Sequence, residues 1–243
     1  MSHQTAKDRL IVALDMPTLE EAYRLVATLD DSVTFYKVGL ELLFAGGLNL
    51  ARDLKARGKR VFLDMKLHDI GNTVERAVAN ATELGIDFLT VHGTDRKMLR
   101  AAVAGRGDSS LKILAVTVLT NLTAADLKEQ GSAMSPSDLV LHRARLAADA
   151  GCSGVIASGL EAARLREAVG PDFLIVTPGI RLSGSSTDDQ ERIATPETAI
   201  LDGADYLVVG RPITQADDPK VAADTFVQHI RDAHAKMPTA AQS

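Results

Sequence analysis

The sequence predicts a (β/α)8 barrel, and three observations carry that expectation. The chain has 243 residues, close to the ~250 that one such barrel needs. Short apolar runs recur about eight times, with helical patterns between them. No G-x-G-x-x-G follows the first run, so the usual mark of the competing open, doubly wound sheet is missing.

The runs are Leu10–Leu14, Val33–Val38, Val61–Leu63, Phe88–Val91, Ile113–Val118, Val155–Ala157, Phe173–Val176 and Tyr206–Val209. They are continuous rather than alternating, as parallel strands covered on both faces require. The first intervening helix shows Leu19, Ala22, Tyr23 and Val26 on one face, and Thr18-x-x-Glu21 reads as its capping box. Ser135-Pro136 and Thr195-Pro196 each set a capping hydroxyl before a proline suited to the first helical turn. Gly58, Gly85, Gly151 and Gly203 stand where helices must end before the next strand. Two connections are long, 120–137 and 179–195, and such βα loops build the active face of this fold. One catalytic domain is expected over 1–243, with 1–8 and 237–243 as flexible ends.

Composition narrows the function classes. Hydrophobic residues make up 46% and charged residues 24%, values that support a packed core and argue against disorder. The net charge is −5 and no Lys/Arg run stands out, so nucleic acid is not an expected partner. A single cysteine, Cys152, excludes an intrachain disulfide and fits a reducing compartment. It precedes an apolar strand, which favours a structural role over a nucleophilic one. The N-terminus lacks the apolar core of a signal peptide, and no apolar run approaches the ~18 residues of a membrane helix. A soluble, cytoplasmic protein without membrane contact is expected.

Charges gather at the C-terminal ends of the predicted strands. Strand one ends in Asp15, strand two carries Lys37, and strand three runs through Asp64-Met65-Lys66 before turning at Asp69. Residues two apart share one strand face, so Asp64 and Lys66 point together into the barrel mouth. A structural salt bridge is the alternative reading of that pair. With Asp15, Lys37 and Asp69 at the same end, a functional cluster explains the density of charge better. A second constellation follows strands seven and eight: Thr177-Pro178-Gly179-Ile180-Arg181, Gln190, and Gly210-Arg211-Pro212. Barrels bind phosphate there, glycines allow close approach, and arginines supply forked donors. The stretch 184–189 has the composition of a lid. His68 and His92 read as hydrogen-bonded neighbours of the site. No grouping has metal-ligand spacing, and no G-x-S-x-G elbow appears.

The run from Phe62 to Val74, with Asp64-Met65-Lys66-Leu67-His68-Asp69-Ile70 at its heart, resembles the orotidine 5′-phosphate decarboxylase family. Ala13-Leu14-Asp15, Lys37-Val38-Gly39, Thr117–Thr120, Ser158, Pro178–Arg181 and Gly210–Ile213 resemble further family motifs in family order. The likeness extends from about Arg9 to about His234. Gly71 departs from a usual proline, Met65 from a usual aliphatic residue, and the segment 92–94 is less family-like.

The resemblance implies decarboxylation of orotidine 5′-monophosphate to UMP and CO2, the last step of pyrimidine nucleotide synthesis, without metal or organic cofactor. It makes Lys66 the proton donor to ring carbon C6, with Asp64, Lys37 and Asp69 completing the catalytic charge array. It places Asp15, Lys37 and Thr73 at the ribose, and Thr120 and Ser158 along the pyrimidine. Pro178, Arg181, Gln190, Gly210 and Arg211 fall to the phosphate end and its closing loop. It also implies a homodimer in which Asp69 and Thr73 enter the partner's site. Two rivals remain: a Mg2+-dependent sugar-phosphate lyase or decarboxylase on the same scaffold, such as a hexulose-phosphate synthase, and a non-catalytic barrel that binds phosphometabolites.

Overall fold

The computed structural model describes residues 5–182 and 194–237. Eight parallel strands close into a barrel in which each pairs with the next and the last pairs with the first. They are β1 (Leu10–Ala13), β2 (Phe35–Gly39), β3 (Arg60–Leu67), β4 (Phe88–His92), β5 (Lys112–Val116), β6 (Gly154–Ile156), β7 (Leu174–Thr177) and β8 (Tyr206–Val209). The helices are α1 (Leu19–Leu29), α2 (Leu40–Phe44), α3 (Gly47–Ala56), α4 (Gly71–Thr82), α5 (Arg96–Arg106), α6 (Ala124–Glu129), α7 (Pro136–Ala150), α8 (Ala162–Val169), α9 (Pro196–Leu201), α10 (Arg211–Thr214) and α11 (Pro219–Lys236). Every predicted apolar run overlaps a strand, so the expected (β/α)8 barrel is the observed one. No described helix is long and apolar enough to cross a membrane.

Strand parity divides the core into two layers. Ile11, Phe35, Phe62, Phe88, Leu114 and Val176 cluster inside the barrel. Their chain neighbours, such as Tyr36, Val61 and Leu89, join the larger layer between strands and helices. Phe88 meets both Phe35 and Tyr206 edge-on, with centroids 5.0 Å apart in each pair. Arg60, the first residue of β3, lays its guanidinium 4.0 Å from the Phe35 ring centroid and within 3.6 Å of the Asp87 carboxylate. Cation–π and ionic contacts thus fill the N-terminal end of the barrel. The opposite end is left for chemistry.

Most local signals act as expected, but of the capping box predicted at Thr18 and Glu21 only the Thr18 half forms, its hydroxyl accepting the Glu21 N–H. Thr18, Ser135 and Thr195 accept amide protons at the starts of α1, α7 and α9. The four helix-ending glycines all have positive φ. The connection 120–137 is not open loop throughout, because Thr123 and Asp126 cap one another and start α6 within it.

β3 departs from regular pairing. Leu63 sits opposite Leu89 and Leu67 opposite Val91, so three residues of β3 face the single residue Thr90 of β4. The surplus makes a bulge, and Lys66 takes φ +48° within it. Asp64 and Lys66 therefore do not share a face by simple alternation; a left-handed residue re-aims the lysine.

Helices α4 and α5, which flank this strand, approach backbone to backbone. A Cβ on Gly105 would lie 2.2 Å from the Glu75 carbonyl oxygen, and one on Gly71 would lie 3.3 Å from Ala101 Cβ. The same contact gives Gly71 a packing reason to stand where the resembled family has proline. Gly105→Ala is expected to destabilise the fold by about 1–3 kcal/mol through overpacking. A thermal melt should show a Tm lower by roughly 2–12 °C; an unchanged Tm would contradict this packing.

Candidate active site

The C-terminal ends of the strands surround a cavity of about 700 Å³. Neighbouring strands deliver its charges in alternating sign. Asp15 follows β1, and its Oδ1 lies 2.8 Å from Lys37 Nζ of β2. Lys37 Nζ lies 3.5 Å from Asp64 Oδ2, and the same oxygen lies 2.7 Å from Lys66 Nζ of β3. Carboxylate and ammonium groups thus alternate along one line from Asp15 to Lys66.

Burial alone would pull the Lys37 ammonium toward neutrality, but Asp64 and Asp15 outweigh it and hold its pKa above the ordinary lysine value. Burial likewise pushes the Asp64 carboxyl up, and Lys37, Lys66 and a hydrogen bond from Thr90 more than reverse that. Both groups are therefore ionised at neutral pH although little water reaches them.

Two residues outside the predicted set shape this array. A Cβ at Gly39 would sit 2.7 Å from Asp15 Oδ1 and 3.0 Å from Lys37 Nζ. Glycine there leaves room for the Asp15–Lys37 pair. Thr90, fully buried, accepts the Lys66 N–H at 2.9 Å and lies 2.9 Å from Asp64 Oδ1 as donor. Its sequence signal was a lone hydroxyl in the apolar run Phe88-Leu89-Thr90-Val91.

Thr120, Pro178, Gly179, Arg181, Gly210 and Arg211 line the same cavity. Arg181 is 8% exposed, and its guanidinium donates to the Ile180 carbonyl at 3.1 Å. Ile180 pairs with Ala194, which anchors the chain where it returns toward α9. Gln190 and the stretch 184–189 lie outside the described residues.

Three predicted residues are not brought into this cavity within the chain. Ser158 is buried, accepts the Leu160 N–H at 3.3 Å, and is not among the cavity-lining side chains. Asp69 is exposed, accepts its neighbour Ile70 N–H at 2.6 Å, and lines a separate groove with His68 and Lys97. Thr73 is exposed on the first turn of α4.

The His92 and His68 rings lie 5.3 Å apart beside the array with their planes tilted by 50°, and His68 Nε2 lies 3.2 Å from Thr94 Oγ1. Burial, followed by His68, Arg143 and Lys66, holds the His92 pKa below the ordinary histidine value. The folded state then binds fewer protons at this ring than the unfolded state. Stability is full above the unfolded pKa of 6.5 and is lost as pH falls toward the lower folded value. His92→Gln should therefore flatten the fall of Tm between roughly pH 7 and pH 5. Parallel Tm–pH curves for variant and wild type would count against the assignment.

Fold and cavity together define a barrel enzyme with an ionised reaction centre at the strand C-termini. Residues 8–226 match the model of the orotidine 5′-phosphate decarboxylase / HUMPS family, and the chain belongs to that family. It is 57% identical over 225 residues to orotidine 5′-phosphate decarboxylase of Rhodopseudomonas palustris strain BisA53, covering 93% of this chain and 95% of that one. It is 56% identical to the enzyme of the same name from Afipia carboxidovorans, covering 94% and 97%. The crystal structure of orotidine 5′-phosphate decarboxylase from Lactobacillus acidophilus superposes with a TM-score of 0.81 at 39% identity, covering 91% of this chain and 98% of that one.

Proposed function

We propose that this protein decarboxylates orotidine 5′-monophosphate to UMP and CO2, completing pyrimidine nucleotide synthesis, with Lys66 as the proton donor. The observation that carries the mechanism is the alternating array that ends in the Asp64–Lys66 contact of 2.7 Å. Breaking the bond from C6 to the carboxylate leaves its electron pair on C6. An ammonium held at that carbon stabilises the developing charge and then supplies a proton. Asp64 faces the substrate carboxylate, and loss of CO2 relieves their repulsion. Lys37 and Asp15 contact the ribose, and Lys37 also keeps Asp64 ionised.

Arg181, Arg211 and the Gly210 backbone hold the phosphate, with Pro178 shaping that wall, Thr120 beside the base and Gln190 from the closing loop. Binding energy from this unreacting end contributes to turnover by orienting the ring. Ser158, whose hydroxyl accepts the Leu160 N–H, is assigned to the pyrimidine side by family likeness alone. The reading includes a cytoplasmic location, where a lone thiol such as Cys152 stays reduced.

The deciding experiment follows the absorbance of orotidine 5′-monophosphate after addition of purified protein. Turnover is expected to persist in excess EDTA, and Lys66→Ala should lower kcat by at least about 10²–10⁴-fold. Loss of activity on chelation would instead favour the Mg2+-dependent sugar-phosphate reading. Binding of the nucleotide without turnover would favour the non-catalytic one.

Asp69 and Thr73 belong, in this reading, to the site of a second copy in a homodimer. Support comes from Asp69's position outside its own chain's cavity, where it is exposed on a separate groove. Mixing inactive Lys66→Ala and Asp69→Ala chains should restore activity, because one site of each mixed dimer regains both residues. A mixture that stays inactive, with mixed dimers verified by mass, would sink the shared-site assignment.

A further inference from the structure

We propose that Thr90 is a positioning residue for the reaction, its buried hydroxyl clamping the Lys66 main chain and the Asp64 carboxylate in one fixed relation. The inference rests on the reading of Lys66 as proton donor.

The bulge creates the need for such a clamp. Three residues of β3 oppose Thr90 alone, so the regular ladder cannot satisfy every main-chain group across this gap. Lys66 also stands at φ +48°, a conformation that side-chain-bearing residues avoid unless their surroundings hold them. Its N–H meets Thr90 Oγ1 at 2.9 Å. A main-chain N–H can only donate, so the hydroxyl must accept. The hydroxyl's own proton then goes to Asp64 Oδ1, 2.9 Å away. That bond leaves Asp64 Oδ2 to face Lys66 Nζ at 2.7 Å and Lys37 Nζ at 3.5 Å.

One hydroxyl therefore sets both ends of the catalytic pair. It fixes the backbone from which the Lys66 side chain springs, and it fixes the rotation of the carboxylate that receives the ammonium. Thr90 is 0% exposed, so bulk water cannot substitute for it. It is not among the cavity-lining residues, and it acts through Lys66 and Asp64 rather than on the substrate.

The test compares Thr90→Val, which keeps the shape and loses the hydroxyl, with Thr90→Ser, which keeps the hydroxyl. Val is expected to lower kcat for orotidine 5′-monophosphate ~10- to 100-fold, the range for lost hydrogen bonds to a charged group. KM should change less than about threefold, because the phosphate grip is untouched. Ser should stay within about threefold of wild type in both. Loss of the donor to Asp64 should also move the acid limb of the kcat–pH profile upward in Val and not in Ser. Hydrogen exchange at the Lys66 amide supplies a readout independent of turnover, faster in Val and unchanged in Ser.

Wild-type kcat and unaltered Lys66 exchange in Val would overturn the proposal. So would equal impairment of Ser and Val. If Val does not fold, Thr90→Cys against Thr90→Ser repeats the comparison at nearly constant volume. Equal behaviour of that pair overturns the clamp, and selective impairment of Cys supports it. Wild-type protein without decarboxylase activity would defeat the assigned reaction, and the exchange data would still decide for or against the clamp.

Discussion

Asp64 faces two ammonium groups, Lys37 and Lys66, from a position that water barely reaches. An isolated charge in that place would tend to neutralise. The array avoids this because each charged group between its ends has an opposite neighbour on both sides. Lys37 depends on Asp15 and Asp64, and Asp64 depends on Lys37 and Lys66. The surrounding structure serves this mutual dependence: β1, β2 and β3 bring the groups side by side, and Gly39 keeps a side chain out of the space they use.

The two ends of the barrel solve opposite problems with similar residues. At the N-terminal end, Arg60 is enclosed by aromatic rings and tied to Asp87, which also receives Lys55 at 2.8 Å and the Val61 N–H at 2.8 Å. Those charges are paired with one another, and Arg60 is framed by rings. At the C-terminal end, Lys66 has its ammonium on Asp64 and keeps more exposure than either Lys37 or Asp64. The same ion-pair chemistry packs against aromatic rings at one end and lines a cavity of about 700 Å³ at the other, where a substrate has room to sit.

Much of this was legible in the chain. Continuous apolar runs gave the strands because both faces of a parallel sheet are covered. The grouping of Asp15, Lys37, Asp64, Lys66 and Asp69 followed from their common place at strand ends, and the first four stand 2.7–3.5 Å from their neighbours while Asp69 lies apart. Simple alternation failed at Lys66, because periodicity assumes a regular ladder and the bulge is a property of two strands paired out of step. Thr90 escaped notice for the same reason: its importance arises only opposite that irregularity. Asp69 looked local in sequence, yet the turn after Leu67 carries it away from the cavity. The orotidine substrate came from family likeness and not from spacing, since charge patterns alone fit several phosphorylated metabolites.

The surplus in β3 is confined to one seam. Toward β2 the pairing is regular from Phe35–Arg60 through Gly39–Asp64, and only toward β4 does it slip. In an open sheet, an edge strand could shed such an excess by sliding along its neighbour. A closed barrel has no edge to slide toward, so any shift of β3 would have to be passed around all the remaining strands. The left-handed lysine is therefore trapped by topology: its odd conformation is as durable as the closure of the barrel itself.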